Sequence, residues 1–242
     1  MALPLSGWAS GNLFTGSIMW STSTDPIVAT EQWAAASSTL SWNISYHANS
    51  AFPWVYEYSW SAPTKGLSHI ILEVSAASLA ADFSVPAGSE GPRTWSPSDP
   101  GNSNPGLPGN VFGIKYDGGG VTSKTFTFGS THAPTWGDFF AKDGTNRRGG
   151  RSYDVYAYNA GFLQADPLVD FTQIALGNLM TLQHTGLRAN HIAVPDTYRL
   201  TPPDFGPPPS VPEAPAGMGL VSLVGGAAYG VQRRRRSTPQ AK

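Results

Sequence analysis

The sequence predicts an all-β protein, a β-sandwich of the jelly-roll kind, and three observations point there. Glycine (27 of 242 residues) and proline (21) punctuate the chain too often for long helices. Eight Trp, nine Tyr and eleven Phe supply the bulky rings that strands favour. Residues 54–60 alternate strictly, with Trp54, Tyr56, Tyr58 and Trp60 on one face, which is the period-two pattern of a half-buried strand.

The other elements follow in chain order. Residues 9–45, rich in Ser, Thr and Trp, hold one or two strands. After a turn at 63–66, residues 68–74 read as the strand following 54–60. Six prolines and five glycines between 85 and 109 predict a long structured loop or insertion. Strand periodicity returns at 111–116 and, after a glycine turn at 117–120, at 124–128. A short helical turn carrying Trp136, Phe139 and Phe140 is expected within 133–142. Residues 151–158 alternate again, 171–183 stay open between helix and strand, and 190–194 form a last short strand. Seven or more short strands with turn punctuation are what a sandwich requires. The expected organisation is a β-sandwich over residues 1–200 and a proline-rich linker over 201–210. A tail signal over 211–236 and a short end at 237–242 complete it. The seven prolines of 201–215 make a semi-rigid spacer that holds the domain off a membrane.

Composition excludes several chemistries. The chain has no cysteine, so disulfides, thiolate nucleophiles and cysteine-held metals are out. Up to Ser210, ten Lys/Arg face fifteen Asp/Glu, and this mildly acidic body gives nucleic acid no electrostatic footing. Catalytic patterns are equally sparse, and neither cofactor nor metal is expected. Gly88-Ser89-Glu90-Gly91 falls one residue short of a nucleophile elbow and reads as a turn. His47, His69, His132, His184 and His191 show no metal-ligand spacing; His184 and His191 lie seven apart across a glycine turn and would meet only by chance. His69, heading an apolar strand, reads as a strand-end hydrogen-bonder. Asp143 to Asn146 matches the start of a calcium loop but lacks its later glycine and closing glutamate, so a polar turn is favoured. Glu57 and Glu73, on neighbouring predicted strands, could serve as a glycosidase pair, with two solvated glutamates as the plainer alternative. The row Trp54, Tyr56, Tyr58 and Trp60 could stack on sugar rings of a polysaccharide, but a sandwich core wants the same residues inward.

The C-terminal stretch carries the sharpest signal. Val211-Pro212-Glu213-Ala214-Pro215 is followed by a charge-free apolar run from Ala216 to Val231, then by Arg233, Arg234, Arg235 and Arg236. As a helix, the 16-residue run spans roughly 24 Å at about 1.5 Å per residue, short of the ~30 Å of a bilayer core. Five glycines weaken it further, so it is a marginal anchor. The four guanidinium groups stay on the cytoplasmic face.

This order of prolyl motif, glycine-rich helix and arginine cluster resembles the PEP-CTERM sorting signal of Gram-negative bacteria. The resemblance covers residues 211–236, and the second proline of the family's Pro-Glu-Pro stands one place later, at Pro215. It implies that an exosortase, a membrane transpeptidase, reads Val211, Pro212, Glu213 and Pro215 and removes the tail. The protein would then be held transiently at the inner membrane before reaching the cell surface or extracellular matrix. Residues 109–115 and 136–144 also resemble segments of uncharacterised exported proteins that carry this tail. Residues 1–24 contain no charged side chain and the first basic residue is Lys65, so an export signal is expected to be missing from the start. The reading is a non-enzymatic, surface-sorted protein with a structural or adhesive role. A surface glycan hydrolase and a permanently tail-anchored protein are the alternatives.

Overall fold

A computed structural model of the chain describes residues 12–20, 26–35, 37–47, 50–99, 104–167 and 189–196. All of them fall in one structural unit, residues 1–208. The strands are β1 (Asn12–Trp20), β2 (Ile27–Ala29), β3 (Ser38–Tyr46), β4 (Trp54–Ser61), β5 (Leu67–Glu73), β6 (Phe83–Ser84) and β7 (Glu90–Trp95). They continue with β8 (Val111–Val121), β9 (Ser123–Ser130), β10 (Ala133–Gly137), β11 (Phe139–Arg148), β12 (Arg151–Asn159) and β13 (Ile192–Asp196). One helical turn, α1 (Glu31–Ala34), precedes β3.

The fold is all-β, built of open antiparallel sheets. One sheet runs β1-β3-β4-β9-β6 and a larger one β2-β12-β11-β5-β8-β7, while β10 and β13 pair as a two-stranded ribbon. Alternation decides the inner faces. In β4, Trp54, Tyr56, Tyr58 and Trp60 are buried, whereas Glu57 and Ser61 are exposed. In β3, Ser38, Leu40, Trp42 and Ile44 point the same way. Rings from the two large sheets meet in one core: Tyr116 of β8 lies 5.5 Å from Phe126 of β9, and Trp60 lies 6.2 Å from Phe139 of β11. The Tyr58 hydroxyl donates to Ala193 O at 2.7 Å, tying the ribbon to the same core.

The larger sheet is covered on its other face as well, which corrects the reading of residues 85–109. Where a long structured loop or insertion was expected, the segment supplies β7, an edge strand paired with β8, and its Trp95 and Leu107 join a buried cluster on that face. Trp95, Leu107, Ile71, Val111, Phe140 and Phe162 form a second buried cluster there. Trp95 donates its indole N–H to Gly113 O at 2.8 Å, and the Arg93 guanidinium lies 3.4 Å from the ring centroid. Gly106 sits against Tyr156 so closely that a Cβ would come within 2.2 Å of the ring, and its φ of 88° also demands glycine.

Four further expectations change. The chain does not reverse at 117–120: β8 runs on through these residues, which form a bulge whose glycines at 119 and 120 take positive φ. Residues 133–142 hold no helical turn but two strands, because Phe139 and Phe140 bury into opposite faces of a sheet covered on both sides. Asp143 to Asn146 lie inside β11 at a bulge, with Asp143 3.9 Å from Lys65, so they form neither a calcium loop nor a turn. The N-terminal region supplies three strands, β1 to β3, where one or two were expected. The ambiguous 171–183, the linker and the tail signal lie outside the described residues. Among the described residues no helix is long and apolar enough to cross a membrane.

His69, in β5, reports on the covering segment. Asn104 gives Nδ2–H to Ser96 O at 3.2 Å, so its Oδ1, 2.9 Å away, accepts from His69 Nε2. Burial lowers the His69 pKa to about 4, with Lys115 and Lys142 pushing the same way and the Asn104 bond and Glu90 resisting. An unfolded histidine takes its proton near pH 6.5 and the folded one only near 4. Stability from this residue is therefore complete above pH 6.5 and lost as the pH falls through about 4. The loss between pH 7 and 4 is about 3 kcal/mol. Urea denaturation at both pH values checks it: wild type should lose about 3 kcal/mol more than His69→Gln over that interval. Equal losses would rule His69 out.

Candidate functional site

Five segments deliver polar side chains to one place at the junction of the larger sheet and the ribbon. Asp138 is the single residue between β10 and β11, where the chain passes from ribbon to sheet. Its backbone is clamped by the end of β5: Asp138 N–H donates to Glu73 Oε2 at 2.7 Å, and Glu73 N–H donates to Asp138 O at 3.0 Å. That clamp fixes the direction of the carboxylate before any side-chain contact is made.

Asn159, the last residue of β12, uses its whole carboxamide. Its Oδ1 accepts from Phe139 N–H at 2.8 Å, and its Nδ2 donates to Asp138 Oδ1 at 2.5 Å and to Asn190 O at 2.8 Å. Asn159 is fully buried, so each of these groups would otherwise be desolvated without a partner. His191, just before β13, places Nδ1 3.2 Å from Asp138 Oδ1 and 3.3 Å from Asp166 Oδ1. His191 and Asp138 are buried, whereas the Asp166 side chain is 41% exposed and opens the cluster to solvent. Gly161 backs the imidazole; a Cβ there would stand 2.5 Å from Nε2.

Charge crowds this spot. Burial raises the Glu73 carboxyl, Asp166 and Asp138 raise it further, and it titrates at about 8 although the Asp138 N–H and His191 favour ionisation. At His191 burial opposes the charged ring, but hydrogen bonds to Asp138 and Asp166, and their charge, outweigh it and raise the pKa to about 9. At neutral pH Glu73 therefore keeps its proton and His191 is an imidazolium between two carboxylates. Such an arrangement can hold a proton or a cation among its donors.

Of the residues singled out from the sequence, Glu73 and His191 reach this cluster, and the others lie elsewhere or outside the described residues. Trp54, Tyr56, Tyr58 and Trp60 are core, each 4% exposed or less, and offer no face to a sugar ring. The Tyr56 hydroxyl donates to His132 O at 2.8 Å, Trp54 packs on Tyr46 at 4.9 Å and Trp60 on Trp33 at 4.8 Å. Glu57 and Glu73 are not on neighbouring strands: β4 and β5 belong to different sheets, with Glu57 exposed and Glu73 turned to the cluster. That separation removes the glycosidase pair. His184 and the sorting residues Val211, Pro212, Glu213, Pro215 and Arg233, Arg234, Arg235, Arg236 lie outside the described residues.

Sequence reasoning missed Asp138, Asn159 and Asp166 and considered His191 only beside His184. A signal existed at two of them. Asp138 interrupts Trp136-Gly137-Asp138-Phe139-Phe140, and Asn159 closes the alternation of β12 on its buried face. A polar residue on an inward position needs a buried partner. Comparison of the chain with protein-family models, curated proteins and solved structures returns no match.

Proposed function

We propose that this chain is an exported, surface-sorted, non-enzymatic protein whose C-terminal signal is read and removed by an exosortase. One observation carries the reading: Val211, Pro212, Glu213 and Pro215, a 16-residue apolar run and Arg233 to Arg236 follow one another in the order of the PEP-CTERM tail. In this reading the short helix lodges at the inner membrane, the arginines stop translocation, and cleavage releases the folded domain to the cell surface or matrix.

The folded part is compatible with such release. Among the described residues, every member of the two buried clusters lies between Phe14 and Val194, so cutting the chain near Pro212 removes none of these. We read the two large sheets as a β-sandwich of the jelly-roll kind. We take its work as structural rather than adhesive, because the aromatic row suited to stacking on polysaccharide is inside. A permanent tail anchor is the competing reading, and the same segment would then persist in the mature protein.

The test is fractionation of the natural host producing wild type or the double variant Pro212→Ala, Glu213→Ala, followed by immunoblotting of the domain. The expected result is a shortened surface form from wild type and a full-length, membrane-held form from the variant. Identical products from both would contradict recognition of this motif.

A further inference from the structure

We propose that Asp138, Asp166 and His191 form a binding site for one divalent transition-metal ion, with zinc the best fit. The donor atoms, His191 Nδ1 and one oxygen from each aspartate, lie within 4.8 Å of one another. Two ligands held ~2.1 Å from zinc at tetrahedral angles stand ~3.4 Å apart. His191 Nδ1 already stands 3.2 Å and 3.3 Å from the two carboxylate oxygens. An ion can therefore enter with small side-chain shifts.

The donor chemistry narrows the occupant. One imidazole nitrogen with two carboxylate oxygens suits zinc and its neighbours better than calcium, which wants six or more oxygens. Three protein donors leave a fourth position for water or an outside ligand, and Asp166 faces the solvent from which an ion would arrive. Around the donors the fold supplies what ligands need to stay aimed. Asn159 fixes Asp138 through Oδ1, its carboxamide is fixed in turn by Phe139 and Asn190, and Gly161 backs the imidazole.

This inference is independent of the sorting reading, since the site lies within the folded domain. The experiment uses the full-length chain, purified in mild detergent, stripped with a chelator and exchanged into metal-free buffer. Zinc alone is titrated by calorimetry, and cobalt(II) alone is followed by its visible absorption. The expected result is one zinc per chain, a cobalt spectrum of a four-coordinate nitrogen and oxygen site, and a rise in melting temperature with zinc. Asp166→Asn is the informative variant: its side chain is exposed enough to keep the fold, yet it should weaken zinc by about 100-fold and abolish the thermal shift. His132→Ala, at the separate His132–Asp82 pair, should change neither. No zinc uptake, or uptake equally strong in Asp166→Asn, would overturn the proposal.

Discussion

Replacing Asn159 with leucine should cost the fold about 3–5 kcal/mol, because the side chain serves three buried groups at once. Phe139 N–H, the Asp138 carboxylate and Asn190 O each lose their contact with this carboxamide, and leucine, branched alike but larger, leaves no room for water to replace it. Each buried polar group left alone costs about 1–3 kcal/mol. Asn159→Asp is the revealing companion. It keeps an oxygen for Phe139 N–H but turns a carboxylate toward Asp138 in a place where Glu73 and Asp166 already crowd it. We expect a loss as large as that of leucine, and one that shrinks at low pH as carboxyl groups take up protons. Urea midpoints for both variants at neutral and acid pH check this; a loss below about 1 kcal/mol for leucine would mean the carboxamide is not the keystone of the junction.

The second large effect is expected at Trp60, where alanine should cost about 3–5 kcal/mol. Trp60 is fully buried on β4, packs 4.8 Å from Trp33 of α1 and 6.2 Å from Phe139 of β11, and so joins both large sheets and the helical turn. Truncation leaves a void that close-packed neighbours fill only in part. Phenylalanine tells packing from polarity at the same site. The Trp60 indole N–H has no hydrogen-bond partner among the described residues, so phenylalanine removes an unpaired donor while keeping most of the ring. We expect Trp60→Phe to remain within about 1.5 kcal/mol of wild type, read from thermal and urea unfolding. A loss as large as alanine's would show that shape alone governs this position.

The contrast between these two residues shows what was legible in the sequence. Trp60 was readable because β4 has one covered face: ring, polar, ring, polar is a local signal seven residues long. At Phe139, Phe140 and Ala141 the alternation vanishes, since β11 is packed on both sides there, and a run of buried residues carries no period. β7 was hidden by the glycine and proline around it, though Trp95 at its end marked a buried anchor. The site was hidden for a different reason. Residues 73, 138, 159, 166 and 191 come from five separate segments, and the pairings of β5 with β11, β11 with β12 and β10 with β13 bring the first three and residue 191 together. No local pattern encodes that. The tail is the opposite case, because its three parts are contiguous and its physics is linear in the chain.

The central claim, sorting by cleavage of the C-terminal signal, is tested most directly by intact-mass measurement of the protein recovered from its natural host, with membrane and surface or medium fractions analysed separately. The account predicts that the surface or medium form has lost the apolar run and Arg233 to Arg236, ending near Pro212 and Glu213. A single full-length species confined to the membrane would contradict it and make the arginine-flanked apolar run a permanent anchor.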